Sequence, residues 1–304
     1  MTLDTRLTIR ISSPKLENLS KAQRRFRDAI VDRIESKELR VLDDLAASAN
    51  LEDGLAQFRM CHGVVVLAFS QWNAERLHRE QNKSIVLTSE FSHIESVMAA
   101  ACNRPLLVLR DKLLAERGVL RGGYLPQVAK IPNSLSEDWI DSDEFGREFD
   151  KWVQKVKRFR HVFLGYSSQS TETGGSLHAY LSEDLGLKVF DWHDFRPGDS
   201  IWESIVKVEQ STNCGLFLFM ADDKLTAGNK REFAPRDNVV FEAGYFAGAK
   251  GRNGSLVIGE KGAKIPTDLG GILYLELVNR GDISPIKAKL RSSLEGMLGL
   301  DALE

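Results

Sequence analysis

Cysteine is scarce in this chain: Cys61, Cys102 and Cys214 are the three present in 304 residues. They are dispersed, so they cannot form a disulfide framework, and none has a partner at a metal-like spacing. They read as reduced, buried thiols of a cytoplasmic protein. Histidine is sparse too, with six residues and no HExxH or comparable cluster, which argues against a metal enzyme. No apolar run approaches the roughly 18 residues that a membrane span needs. The opening Met-Thr-Leu-Asp-Thr-Arg carries no apolar core of a secretion signal. An excess of positive charge is also lacking: the formal net charge is −2, which gives no electrostatic reason to expect nucleic-acid binding. Neither GxGxxG nor a P-loop lysine motif occurs, so the standard dinucleotide and NTP fingerprints are excluded.

What remains is an ordinary globular composition, 42% hydrophobic and 28% charged, in a chain long enough for two domains. Residues 7–13 form a β-rich first strand that ends at Pro14. Residues 19–36 read as a helix capped by Ser20, with Phe26, Ile30 and Ile34 on one face. A short strand at 39–42 and a helix at 51–60 follow. Gly63-Val-Val-Val-Leu-Ala-Phe69 is the continuous apolar run of a parallel strand buried on both faces. Residues 72–83 are polar and loop-like. A helix spans 89–101 behind a Ser89 cap, and a buried strand spans 104–110. Residues 131–143 read as a loop, and 145–159 as an amphipathic helix that could close the first domain or bridge the two, with the first domain taken as residues 1–158.

The pattern then starts again in a second domain, residues 159–304. A strand at 160–166 leads into a Ser/Thr/Gly loop at 167–175. A helix at 176–185 ends at Gly186, a natural C-cap residue. A strand at 187–192, a loop at 193–199 and a helix capped by Ser200 follow. Cys214-Gly-Leu-Phe-Leu-Phe-Met220 is another buried strand. A polar loop at 221–235 precedes a helix opened by Asp237 or Asn238. Strands at 255–258 and 273–277 and a last helix at 285–298 complete the chain. Strands alternating with helices predict an α/β class: two flavodoxin-like domains, each with a central, mainly parallel sheet flanked by helices. The halves read as a weak internal duplication, with Glu95 standing where Glu242 stands.

Glu242 is the anomaly. It sits in Val239-Val-Phe-Glu-Ala-Gly-Tyr-Phe246, where a carboxylate is costly to bury unless something meets it. A half-exposed or salt-bridged residue is the bland reading. In an open parallel sheet, ligands sit outside the carboxyl ends of the strands. Three loops of the second half gather there: Gly165-Tyr-Ser-Ser-Gln-Ser170, His193-Asp-Phe-Arg-Pro-Gly-Asp199 and the segment before the Glu242 helix. Ser167 and Ser168 offer hydroxyls, and Asp237 and Asn238 offer polar groups at the helix start. Tyr166, Trp192 and Phe195 are candidates to stack on a base, or equally to belong to the core. Arg196 or Arg236 could meet a pyrophosphate, or equally make a structural ion pair.

Three strings occur in order: Phe195-Arg-Pro-Gly-Asp-Ser-Ile-Trp-Glu203, Arg236-Asp-Asn-Val-Val-Phe-Glu-Ala-Gly-Tyr-Phe246 and Ile265-Pro-Thr-Asp-Leu-Gly-Gly-Ile272. Together they resemble the bacterial TIR-like domains of anti-phage CBASS and Pycsar effectors, over about residues 160–298. The resemblance implies a flavodoxin-like fold and, in active members, cleavage of NAD at the nicotinamide–ribose bond. It sets the catalytic glutamate on Glu242. It sets a BB loop on about residues 193–200, with Pro197, Gly198 and Asp199 as assembly residues of a homo-oligomer. NAD would be substrate, with no cofactor. The first half resembles a divergent TIR or nucleoside deoxyribosyltransferase-like unit, and the BB-loop and Asp-Asn-Val-Val-Phe-Glu strings are missing from it. Two other readings stay open: a non-catalytic module that binds a nucleotide-derived signal, and deoxyribosyl transfer in the first half.

Overall fold

The computed structural model describes residues 3–300, apart from 43–49, 76–83, 122, 124, 126, 127, 133, 134, 196, 197, 199, 228 and 229. The chain divides into two compact units, Arg6–Arg158 and Phe159–Glu304, the latter joined by Met1–Thr5.

The first unit runs β1 (Thr8–Ser12), α1 (Lys21–Glu35), β2 (Arg40–Leu42), α2 (Leu51–Met60), β3 (Gly63–Ala68), β4 (Trp72–Glu75), β5 (Ser84–Leu87), α3 (Glu90–Ala101), β6 (Leu106–Asp111), β7 (Val128–Ile131) and α4 (Asp143–Val156). Its main sheet has the order β2-β1-β3-β6-β7, parallel throughout. Helix α1 begins where Ser20 accepts the Gln23 N–H and Gln23 returns a bond to the Ser20 N–H, a complete capping box. Its buried residues are Phe26, Ile30 and Ile34, one stripe at a spacing of four. On the other side of the sheet, Phe58, Met98 and Ala99 of α2 and α3 close over Val64, Val66 and Val108.

The second unit repeats the plan: β8 (Arg160–Gly165), α5 (Thr171–Ala179), β9 (Val189–Asp191), α6 (Ile201–Ser211), β10 (Thr212–Phe219), β11 (Asp223–Ala227), β12 (Lys230–Ala234), α7 (Asp237–Lys250), β13 (Ser255–Glu260), β14 (Leu273–Leu277) and α8 (Lys287–Leu298). The sheet order is β9-β8-β10-β13-β14, again all parallel. Numbered within each unit, both sheets read 2-1-3-4-5, the flavodoxin-like order. Alternation along β8 sends Val162 and Leu164 into one core with Leu177, Leu181, Leu290 and Leu294. It sends Phe163 into the other, with Phe217, Phe246, Val239 and Ala243.

Several expectations are corrected. Residues 72–83 and 221–235 are not plain loops: the described parts form the antiparallel hairpins β4–β5 and β11–β12. The described residues of these two segments are mostly polar, and the strand that pairs with β4 begins only at Ser84. Strand β7 lies in a segment with no strand signal, because this edge strand is half-buried. The Ser/Thr/Gly stretch is a single 3-10 turn at Ser168–Ser170 followed by α5, which starts at Thr171. Gly174 lies inside that helix because the Tyr166 ring occupies the place of a side chain: a Cβ there would stand 2.6 Å from it. The helix ends in a π-turn, Tyr180–Asp184, before Gly186 at φ +67°. Neither Asp237 nor Asn238 caps α7; Arg236 holds the cap position, without a side-chain bond. Cys61 and Cys214 are buried, whereas Cys102 is half-buried; all three are free thiols.

Replacing Ser20 by Ala removes one arm of the capping box, and should lower the unfolding free energy of the first unit by about 1 kcal/mol in urea titrations. An unchanged midpoint would show that water replaces the cap without loss.

Candidate functional site

Parallel strands leave their carboxyl ends at one edge of the sheet, and in the second unit that edge gathers the end of β8, the end of β10 and helix α7. Glu242 is the sixth residue of α7. The residues three before, one after and four after it, Val239, Ala243 and Phe246, are the buried ones of the helix. Glu242 therefore rides on the shoulder of the buried stripe and is half-buried. Its carboxylate lies directly over Gly165, the last residue of β8: a Cβ on Gly165 would stand 2.8 Å from Glu242 Oε2 and 2.7 Å from the Phe217 ring. Among the described residues no hydrogen bond or ion pair reaches this carboxylate. Burial alone pushes its pKa from 4.5 up to about 7.

Beside it, the carboxylates of Asp222 and Glu260 are paired. Asp222, just past β10, accepts from the Ser167 hydroxyl and from the Ser170 hydroxyl, the latter at 3.0 and 3.1 Å. Its side chain is 1% exposed and meets Arg280 at 3.1 Å. Arg280 also grips Glu260, at the end of β13, with contacts of 2.8 and 3.0 Å. Glu260 accepts the Ala221 N–H at 2.7 Å. Burial alone would raise the Glu260 carboxyl; the Arg280 and Ala221 hydrogen bonds outweigh it and hold the group below the usual carboxylate range. These bonds tie the segments after β8, β10, β13 and β14 into one frame. With its amide turned to satisfy both neighbours, Gln169 donates to the Asp222 carbonyl at 3.1 Å and accepts from Arg236 at 2.6 Å.

The residues singled out from sequence fall into distinct places. Ser167 is a buried strut to Asp222. Ser168 is exposed, and its carbonyl accepts from the Thr171 hydroxyl at 2.8 Å. Tyr166 is buried in the core of the opposite sheet face, its hydroxyl donating to Asp191 at 3.1 Å, so it does not line the Glu242 side. Burial first, and then the Asp191 charge, push its phenol far above the usual range. Trp192 is 39% exposed and stacks on His193 at 3.7 Å, edge-on to Tyr166. Phe195 stacks on Phe163 at 6.3 Å and belongs to the packing under α7. Arg236 pairs with Asp223 at 3.4 Å. Asp237 and Asn238 are exposed, and Asp237 accepts the Asn238 N–H at 2.8 Å. Gly198 is exposed with φ +96°, a value that L side chains rarely adopt. Arg196, Pro197 and Asp199 lie outside the described residues. No three His, Cys, Asp or Glu side chains come together as a metal site among the described residues.

Sequence reasoning missed Gly165, Asp222, Glu260 and Arg280. An acid directly after an apolar strand was the available signal for Asp222 and Glu260. Arg280 follows β14 and gave none.

The sheet order, with a glutamate on the helix after the third strand and poised over the end of the first, defines the second unit as a flavodoxin-like domain. Residues 161–279 match the family model described as CAP12/Pycsar effector protein, TIR domain. A CD-NTase-associated protein 12 from Lachnospiraceae bacterium (strain RUG226) is 36% identical over 139 residues, 44% of this chain and 43% of the relative. A second one, from Flavobacterium daejeonense, is 36% identical over 115 residues, 36% of each. The Pycsar effector protein BcPycTIR of Burkholderia cepacia is 24% identical over 187 residues, 60% of this chain and 58% of the relative. The matched part thus spans less than half the length of the first two relatives. The C-terminal half of the chain is a TIR domain of the CBASS/Pycsar effector type. No helix among the described residues is long and apolar enough to cross a membrane.

Gly165→Ala should displace the Glu242 carboxylate toward water, because the buried Phe217 ring has less freedom to yield. The carboxyl titration, followed by NMR, should then move from about 7 back toward the ordinary glutamate value of about 4.3. A titration that stays near its wild-type value would show that Gly165 does not set the environment of Glu242.

Proposed function

We propose that the C-terminal TIR domain cleaves the nicotinamide–ribose bond of NAD, with Glu242 as its catalytic carboxylate, and that the chain is an effector of anti-phage defence. One observation carries this reading: in a domain of this family, Glu242 is a half-buried carboxylate at the sheet's carboxyl edge with no partner among the described residues, while Asp222 and Glu260 beside it are both ion-paired to Arg280. The relatives' names, CD-NTase-associated protein and Pycsar effector, support the defence role and a nucleotide-derived signal upstream of it. NAD and the signal both belong to the cytoplasm, where we place the protein.

The chemistry suits one carboxylate. Nicotinamide in NAD is a cationic pyridinium, so the bond to ribose C1′ breaks with its electron pair passing to the ring nitrogen, and neutral nicotinamide leaves without a general acid. Positive charge then develops on the ribose as an oxocarbenium ion. A carboxylate in a partly desolvated site stabilises that charge more strongly than one in water. Water completes the reaction by adding to C1′ and giving up a proton, to yield ADP-ribose; alternatively a nitrogen of the same molecule's adenine adds, to yield a cyclic product. Exposed Trp192 is available to stack on a base. Arg236 is available to a pyrophosphate if it exchanges Asp223 for the ligand.

The anion is the working form, so NAD turnover should rise with pH through about 7. Burial raises this carboxyl above its unfolded value, so the folded state holds the proton more tightly. Its stability contribution is present below about 4.5 and is lost as pH rises through about 7. The loss at higher pH is about 3 kcal/mol at most, on the order of 1.4 kcal/mol per pKa unit. Glu242→Gln should therefore cost at least about 100-fold in turnover. The same variant should melt several degrees above wild type at pH 8 and level with it at pH 4. Equal turnover in the two proteins would remove Glu242 from the mechanism.

The reading includes assembly as a homo-oligomer through the loop that precedes α6. Ile201, Trp202 and Phe241 are exposed next to that loop, with the Trp202 ring 5.9 Å from Phe241. Gly198→Val should lower oligomer mass in light scattering and NAD turnover together. Specific activity that does not vary with protein concentration would argue against assembly.

A further inference from the structure

The two units can be superimposed in logic, element by element, and the match is closer than their sequences suggest. Both sheets have the 2-1-3-4-5 order. Both insert an antiparallel hairpin between the third strand and the next helix, β4–β5 in one and β11–β12 in the other. Helices α3 and α7 share a register. Glu95 and Glu242 are each the sixth residue, and the buried positions Ser92, Ser96 and Ala99 stand to Glu95 as Val239, Ala243 and Phe246 stand to Glu242. An acid at the end of the fourth strand binds the segment just past the third in both: Asp111 accepts from the Ser70 hydroxyl at 2.5 Å, and Glu260 accepts from the Ala221 N–H at 2.7 Å.

The units differ at the glutamate. In the second, the face of β8 that meets α7 offers Phe163 and Gly165, and Glu242 meets no cation among the described residues. In the first, the corresponding face of β1 offers Arg10. Its guanidinium meets Glu95 Oε1 at 2.9 Å, with side chains 10% and 17% exposed. Arg10 also donates to Gln57 at 3.2 Å and lies 4.8 Å over the Phe58 ring, both on α2. The guanidinium is thus fixed from α2 and from α3. A carboxylate whose lone pair is committed to a buried guanidinium is a poor nucleophile and a poor stabiliser of ribosyl charge, since its field is already cancelled.

We propose that the first unit is a second copy of the TIR-type fold whose glutamate has become half of a structural ion pair, Arg10–Glu95, so that the first unit performs no ribosyl chemistry. This rests in part on reading Glu242 as the reacting carboxylate, because it contrasts the two. It sets aside deoxyribosyl transfer by the first unit, which would need Glu95 free to attack.

The test uses the full chain and three variants: Glu95→Gln, Glu242→Gln and the double variant Arg10→Met with Glu95→Met. Removing one partner of a buried pair strands the other charge, whereas replacing both by apolar groups is close to neutral. Glu95→Gln should lower the melting temperature of the first unit by about 10 °C. The double variant should recover most of that loss, and Glu242→Gln should show none of it. The double variant should keep wild-type NAD turnover and show no change in base exchange on deoxynucleosides. Three results would overturn the proposal: a Glu95→Gln protein as stable as wild type, a double variant no more stable than Glu95→Gln, or a well-folded double variant that has lost a ribosyl activity of the wild type. If wild type turns over no NAD under any condition, the reading of Glu242 fails, while the melting comparison still decides the role of Glu95.

Discussion

The second unit is organised around a carboxylate that is half-buried and meets no partner among the described residues. Such a group is expensive, and the fold can keep it only by making every alternative worse. The Phe163, Phe217 and Phe246 rings, whose centroids lie 5.2 to 5.9 Å apart, fix the height of α7 above the sheet. With Val239, Ala243 and Phe246 committed to that core, Glu242 has no rotation of the helix available that would free it. Gly165 supplies the space into which it fits. The raised pKa of Glu242 is the energetic signature of that confinement.

The paired charges around it make that confinement sustainable. Asp222 and Glu260 share Arg280, and Ser167, Ser170 and the Ala221 N–H complete their coordination. These groups are satisfied and gain rigidity from being so. Within this frame each charged side chain has a partner, whereas Glu242 meets none among the described residues.

Much of this was legible in the residues. The apolar runs Gly63–Ala68 and Thr212–Phe219 are strands buried on both faces, and Ser20, Ser89 and Ser200 each cap the helix that they precede. Glu242 drew attention because it broke an apolar stretch. The hairpins were not legible, because exposed ribbons have loop-like composition and their pairing is a long-range choice. The start of α5 was hidden by Gly174 and Gly175, where a close approach of Tyr166, invisible in a string of letters, explains the first glycine. The placement of Tyr166 itself could have been read. Side chains alternate along a strand, so if Gly165 faces α7, Tyr166 faces away. The Arg280 tie could not be read, since it joins residues 58 positions from Asp222 and 20 from Glu260 that share no periodic pattern.

The two units share sheet order, insertions and helix register, yet hold their glutamates differently. The same sheet order, hairpin insertion and helix register recur, and the glutamate recurs in that register. What differs is the first strand's face: an arginine in one unit, a phenylalanine and a glycine in the other. The face of the strand beneath decides how each carboxylate is held: Coulomb attraction at 2.9 Å in a buried setting commits Glu95, whereas burial is the dominant influence on Glu242. A helix with a glutamate at this position is therefore insufficient to assign chemistry to a TIR-type unit. The charge state of the strand beneath it must be known as well, and in this chain that criterion separates the two halves without appeal to how similar they look.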